Sequence, residues 1–265
     1  MDVVALTELA TSPDVEAPLL ASDLGVTPYE ARQKLAVGMP CVVLFTEDRA
    51  RTTALMGSLR ARGHGVVACE GRAVAPSAAM QKVRRFRFEP DALVLRGPSD
   101  AADGSQDERL PYAEMLALLR ATHRRTQETR EETKEKKFRP AAAIITGGVI
   151  LTKTVTREVV RTNEDKEQVV YVFRRSGAPC LLREGGADYS GLGEAVLPTR
   201  IQNFATTLRL LREHAPRVPY DERLVSVKRL PELPGDLGAP RAFDRETGGM
   251  DLLAHVLAMW LSRGT

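Results

Sequence analysis

The strongest constraint on this chain is the density of helix start and stop signals in roughly its first seventy residues. Thr27-Pro28-Tyr29-Glu30 is a capping box: the threonine hydroxyl serves the third helical N–H, the glutamate reaches back, and proline sits where no N–H is needed. Ser12-Pro13-Asp14 is a second start, with serine as cap and acids at the positive end of the helix. Gly25 and Gly38 close these two helices. On the first helix Leu19, Leu20 and Leu24 supply the apolar face; on the second, Ala31, Leu35 and Ala36 face inward. Pro40-Cys41-Val42-Val43-Leu44-Phe45 is continuous and β-branched, so it reads as a buried strand. Thr46-Glu47-Asp48 opens a third helix whose Leu55, Met56 and Leu59 face a core, with Arg60 and Arg62 in its last turn. Gly63 and Gly65 flank His64, and Val66 to Cys69 is a strand. With a short strand at Val3 to Leu6, the order is strand, helix, helix, strand, helix, strand.

Leu24-Gly25-Val26-Thr27-Pro28-Tyr29-Glu30-Ala31-Arg32, followed by Pro40 to Cys69, resembles the C-terminal domain of the ribosomal stalk protein. The resemblance covers residues 1–70, about a quarter of the chain. It implies a non-enzymatic docking module whose first helix pair, lysine-rich in that family, contacts translation factors. Here the corresponding helices carry Asp14, Glu16, Asp23 and Glu30.

At 265 residues, 43% of them hydrophobic, the chain can bury a core without disulfides or metals. Only 5% are aromatic, so aliphatic side chains and alanine must fill that core. Its 38 basic residues against 35 acidic leave a net charge of +3, which argues against a dedicated nucleic-acid binder. Cys41, Cys69 and Cys180 form no C-x-x-C pair and are expected to be reduced thiols in the cytoplasm. Met1 to Pro13 carries Asp2 and Glu8 and does not read as a secretory signal. The longest apolar run, Ala141 to Leu151, is too short to span a bilayer. Preference for Arg and Ala over Lys and Asn suggests a GC-rich bacterial gene.

The expected class is α+β: the small N-terminal module, then an antiparallel sheet with C-terminal helices, reminiscent of pleckstrin-homology-like domains. The expected boundaries are 1–72, 73–230 and 231–265. Lys82 to Phe88 alternates with period two, and Ala92 to Leu95 follows a Glu89-Pro90-Asp91 turn, which reads as a hairpin. Residues 97–108 are loop or linker. Pro111 is expected to open a helix carrying Met115, Leu116, Leu118 and Leu119. The charged stretch 122–137 reads as a solvated helix extension or a flexible connector, with Arg124/Glu128 and Glu132/Lys136 at helical spacing. Residues 142–160 are β-rich around Gly147-Gly148, Thr162 to Asp165 is a turn, and Val169 to Phe173 and Pro179 to Leu182 are strands. Ile201, Phe204, Leu208 and Leu211 mark an amphipathic helix. Beyond a Pro/Gly linker at 231–249, a last helix over Met250 to Leu261 is apolar enough to be core, and its position also permits an intermolecular role.

Catalytic signatures are absent from the sequence. Gly147 to Thr154 lacks the glycine that a phosphate loop needs directly before its lysine, and reads instead as a glycine bulge in a strand. His64, His123, His214 and His255 are far apart and show no metal-ligand spacing. The sharpest ligand pattern is Asp188-Tyr189-Ser190-Gly191-Leu192-Gly193, with Arg157-Glu158-Val159-Val160-Arg161 upstream. These resemble the D-x-S-x-x-G and R-x-x-x-R elements of PilZ domains, which implies cyclic di-GMP gripped by Arg157 and Arg161 with Asp188, Ser190 and Gly193. The alternative for Asp188 to Gly193 is a glycine-rich turn between a strand and the helix at Ile201. The leading expectation is a non-enzymatic cytoplasmic protein that acts through protein contacts, with no cofactor or metal. A cyclic di-GMP sensor and an enzyme of unrecognised family stand as alternatives.

Overall fold

A computed structural model describes residues 1–96, 107–137, 153–235, 243–244 and 246–263; at 125–137 and 153–164 it describes the backbone only. The expected glycine turn at 147–148 lies outside them. The chain divides into two compact units, Met1–His123 with Glu167–Thr265, and Arg124–Lys166. Helices combine with antiparallel and mixed sheets, the expected α+β class.

The N-terminal order is as expected: β1 (Asp2–Glu8), α1 (Pro13–Leu24), α2 (Pro28–Leu35), β2 (Cys41–Thr46), α3 (Arg49–Ala61) and β3 (Gly65–Glu70). The caps form as their residue types require. Ser12 accepts from the Val15 amide, Thr27 and Glu30 complete both halves of the capping box, and the Asp48 carboxylate takes the Ala50 and Arg51 amides at 2.8 and 3.1 Å. Gly25 ends α1 at φ 68°, where a side chain would be strained. The strands lie in the order β2-β1-β3, with β1 antiparallel to both neighbours. All three helices pack on one face, where Leu6, Leu20, Leu35, Val43 and Leu59 meet. Leu19 and Ala36 do not join them: both are exposed. The inward stripe of α1 is Glu16, Ala17, Leu20, Ala21 and Leu24, a 3.6-residue spacing that leaves Val15 and Leu19 outside.

The rest of the first unit is built on a five-stranded mixed sheet. Its strands are β4 (Gln81–Val83), β8 (Met115–Lys137), β9 (Lys153–Arg174), β10 (Cys180–Arg183) and β11 (Tyr220–Asp221), in the order β11-β8-β9-β10-β4. To this unit's sheet β8 contributes as far as His123 and β9 from Glu167. A smaller antiparallel sheet holds β5 (Arg85–Phe88), β6 (Ala92–Arg96) and β7 (Glu108–Pro111). The expected hairpin is there, pairing Phe86 with Leu95 and Phe88 with Leu93. The alternating run that precedes its turn is split between the two sheets at Arg84, whose carbonyl accepts the Asp188 amide.

Three expectations fail. The helix expected to open at Pro111 does not form: Pro111 ends β7, and a single 3-10 turn at Tyr112–Glu114 leads into β8. Residues 122–137 are neither helix nor connector but belong to β8, and the expected turn at 162–165 lies within β9. The reason is two-sided burial. Met115 and Leu118 face one core while Ala117, Leu119 and Ala121 face another, so a strand buried on both faces shows an unbroken apolar run. Arg120 and Thr122 also hydrogen-bond the side chain of Gln168 on β9, about fifty positions away.

α4 (Arg200–His214) covers one face of this sheet through Phe204, Leu208 and Leu211. Ile201, expected on that face, is 70% exposed. α5 (Gly248–Leu261) covers the other face through Met250, Leu253, Ala254 and Leu257. The opposite side of α5 presents Leu252 and Val256 to Val3, Ala5 and Val67 on the outer face of the N-terminal sheet. Apart from Asp251 and His255, this helix is apolar all round because it is a layer shared by two sheets. Gly248 and Gly249 begin it where a Cβ would press on Leu233, Phe243 and the Pro231 carbonyl, so the 231–233 segment can lie against its first turn.

Candidate functional site

The elements of interest are the helix pair α1–α2, the turn at Asp188, and a buried polar chain beneath α5. In the helix pair every acid is engaged within the module. Asp14 pairs with Arg32 at 3.0 Å, joining the two helices. Glu30 is held by Thr27, which lowers its pKa through the backbone and hydroxyl hydrogen bonds. Arg62, from the end of α3, lies 2.7 Å from both Glu16 Oε1 and Asp23 Oδ2, and Ser58 donates to Asp23. Glu16 is almost wholly buried, and His64 Nε2 approaches its second oxygen at 2.7 Å, off the line of a hydrogen bond. The Ala10 amide donates to His64 Nδ1, so the ring proton sits on Nε2, facing the carboxylate. The pair therefore presents no loose acidic surface. What it presents is Val15, Leu19 and Tyr29, exposed by 58, 46 and 70%.

In the structure Asp188 precedes a 3-10 segment, Tyr189–Ala195, that holds Ser190 and is kinked at Gly193, where φ is 58°. Asp188 caps that turn by accepting the Ser190 amide at 2.9 Å, and Arg85 of β5 stands 3.4 Å from its other oxygen. The Ser190 hydrogen bonds, helped by Arg85, hold the Asp188 carboxyl below its ordinary 3.8. A Cβ on Gly191 would lie 1.6 Å from the Phe86 carbonyl, so this glycine allows the turn to seat on β5. The turn is thus tied to β5 at two points. The side chains of Arg157 and Arg161 lie outside the described residues.

The third element is invisible in sequence. His123 Nε2 lies 2.6 Å from the Tyr171 hydroxyl, which donates to Asp251 Oδ1 at 2.8 Å. Ser77 donates both its amide and its hydroxyl to the same carboxylate. Because Tyr171 spends its proton on Asp251, its oxygen is left to accept from His123. Burial, then the Asp251 charge, pushes the Tyr171 pKa well above 10.0. Burial also raises Asp251 above 3.8, with Asp244 adding to it and the Ser77 and Tyr171 hydrogen bonds opposing. Tyr171 and Asp251 are fully buried, so the chain ties α5 to the sheet and to Ser77.

Other chemistry-bearing groups are enclosed too. Burial pushes the Cys41 thiol up to about 12 and those of Cys69 and Cys180 to about 11, which removes the thiolate a reactive cysteine needs. Among the described residues no three histidines, cysteines or acids gather as metal ligands. His255 on α5 is half-buried with its Nε2 enclosed and unpartnered, and burial holds its pKa below the ordinary 6.5. The unfolded chain therefore binds a proton here first, and folding stability falls as pH drops below 6.5. Replacement by Phe is expected to flatten urea-unfolding free energies over that window, removing a slope of at most about 1.4 kcal/mol per pH unit.

No protein-family model matches this chain, and no curated protein or solved structure matches it. No helix among the described residues is long and apolar enough to cross a membrane.

Proposed function

We propose that this chain is a non-enzymatic cytoplasmic protein of bacterial type that works by protein contact, docking through α1 and α2. The observation that carries this reading is the exposure of Val15, Leu19 and Tyr29 on two short helices whose acids are all engaged internally. Val15 and Leu19 stand one helical turn apart on α1, and neighbouring exposed apolar side chains are the usual mark of a recognition face. In the stalk-like docking family the same helix pair makes the contact through lysines. Here the acids are engaged within the module, so the partner's apolar side chains are what the face at Val15 and Leu19 accepts.

Such a contact is insensitive to salt. A photo-crosslinking residue placed at Tyr29 is expected to capture one discrete partner, and to keep capturing it at about 1 M salt, where charges are screened within about 3 Å. Replacing both Val15 and Leu19 with Asp should abolish the crosslink without changing the circular dichroism spectrum. Each buried aliphatic side chain contributes about 1.5–3 kcal/mol, so the double change removes at least a hundredfold in affinity. Release of the crosslink by salt, or equal capture by a crosslinker at exposed Arg209 on α4, would refute the reading.

A further inference from the structure

Beside the N-terminal module lies a cleft of about 330 Å³, lined by α2 and β2 on one side and by residues 229–232 and Leu253 on the other. Its lining is mixed: Val37, Val42, Phe45, Leu230 and Pro231 make the apolar part, and Gln33 and Glu232 lie among the polar residues. Its cations are Lys34 and Arg229. Arg229 shares its charge with Glu232 at 3.2 Å, whereas Lys34 makes no ion pair among the described residues. The cleft therefore combines an apolar part with a lining that carries one more positive charge than negative, Lys34 and Arg229 against Glu232.

We propose that this cleft binds a small amphipathic carboxylate, its tail against Val37, Val42, Phe45 and Leu230 and its head at Lys34 and Arg229. Three features select that class. The volume is at the low end for ligand pockets, which suits a molecule of about ten heavy atoms. The walls carry hydrocarbon. The single net charge matches a monoanion, and the guanidinium keeps N–H donors beyond the one given to Glu232, so a two-oxygen head can be held from both cations. Because the walls come from both the N-terminal module and the segment leading to α5, a bound ligand would clamp the two together. This goes beyond the docking reading and stands apart from it, since Val15 and Leu19 do not line the cleft.

Octanoate and its neutral counterpart octanamide are the probes, read by calorimetry and by thermal unfolding of the full chain. Octanoate is expected to bind and to raise the melting temperature with concentration. Octanamide should bind about tenfold more weakly, the worth of one charge-assisted hydrogen bond. Lys34→Met should erase that tenfold difference, and Val37→Trp should exclude both probes by filling the space. Val15→Asp with Leu19→Asp should leave octanoate binding unchanged. The proposal is overturned by absent octanoate binding at millimolar concentration, by equal affinity for the two probes, or by Lys34→Met binding like the parent. Lys34 is exposed, so its variant decides the matter even where Val37→Trp does not fold.

Discussion

Replacement of Asp251 by Ala is expected to be among the most destabilising single changes in the chain, at about 3–5 kcal/mol. Three donors converge on this carboxylate, the Ser77 amide, the Ser77 hydroxyl and the Tyr171 hydroxyl, and all lose their acceptor inside the core. An unsatisfied buried donor costs about 1–3 kcal/mol, and the hydroxyls can turn to recover part of that. Asn should restore little. Its amide can offer one oxygen, but its NH2 then faces a donor, the Ser77 N–H. Tyr171→Phe breaks only the link to His123 and Asp251 and should cost about 1–3 kcal/mol. The pH dependence carries its own sign. The folded carboxyl sits above 3.8, so the native state holds the proton more tightly. Its contribution is therefore greatest below 3.8 and declines as pH rises through the folded value. Equilibrium urea unfolding of parent and Asp251→Ala should show a gap that narrows as pH rises from that point. A loss under 1 kcal/mol would show that the chain of hydrogen bonds contributes little, and a gap that widens would show that those hydrogen bonds outweigh burial and hold the folded carboxyl below 3.8.

The second large effect is expected at Arg62. Its guanidinium holds Glu16 and Asp23, and Glu16 is almost wholly buried with only His64 as a further neighbour. Arg62→Met keeps much of the apolar stem and strands the carboxylate, a loss of about 3–5 kcal/mol. For a chain of this size that lowers the melting temperature by about 6–20 °C. Glu16→Gln, combined with Arg62→Met, should recover part of the loss because no buried charge remains unpaired. A double-mutant cycle measures that coupling. Additive effects of the two changes would mean that the pair is not acting as one unit.

These two sites differ in how much of them could be read beforehand. Arg62 was legible as a cation in the last turn of α3, yet its partners lie on α1, 46 and 39 positions away. A helix-dipole argument places the charge and says nothing of Glu16. The Asp251 chain left no sequence trace at all: Ser77, His123, Tyr171 and Asp251 stand at no motif spacing and meet only because α5 packs on the sheet. The Asp188 turn was legible as a turn, but Arg85 and the Phe86 carbonyl, which hold it, come from β5. Leu19 and Ile201 show the opposite error. Each was assigned to a core by residue type, and each is exposed because its position falls off the buried stripe of its helix.

What the amino-acid order determined by itself was the N-terminal module's helices and their ends. Ser12, Thr27, Asp48 and Gly25 act on amides and carbonyls within four or five residues, so their partners are present in the same stretch of chain. What only the tertiary structure decided was the state of segments whose apolar pattern suits two answers. Met115 to Ala121 reads equally as a buried helix or a strand buried on both faces, and pairing with β9 settles it as strand. The last helix was legible as apolar, but its place between the two sheets was not, because burial on every side depends on Val3, Ala5, Val67, Leu119 and Tyr171, residues 80 to about 250 positions distant. Local hydrogen bonds are written in neighbouring residues, whereas burial is a property of where distant ones meet.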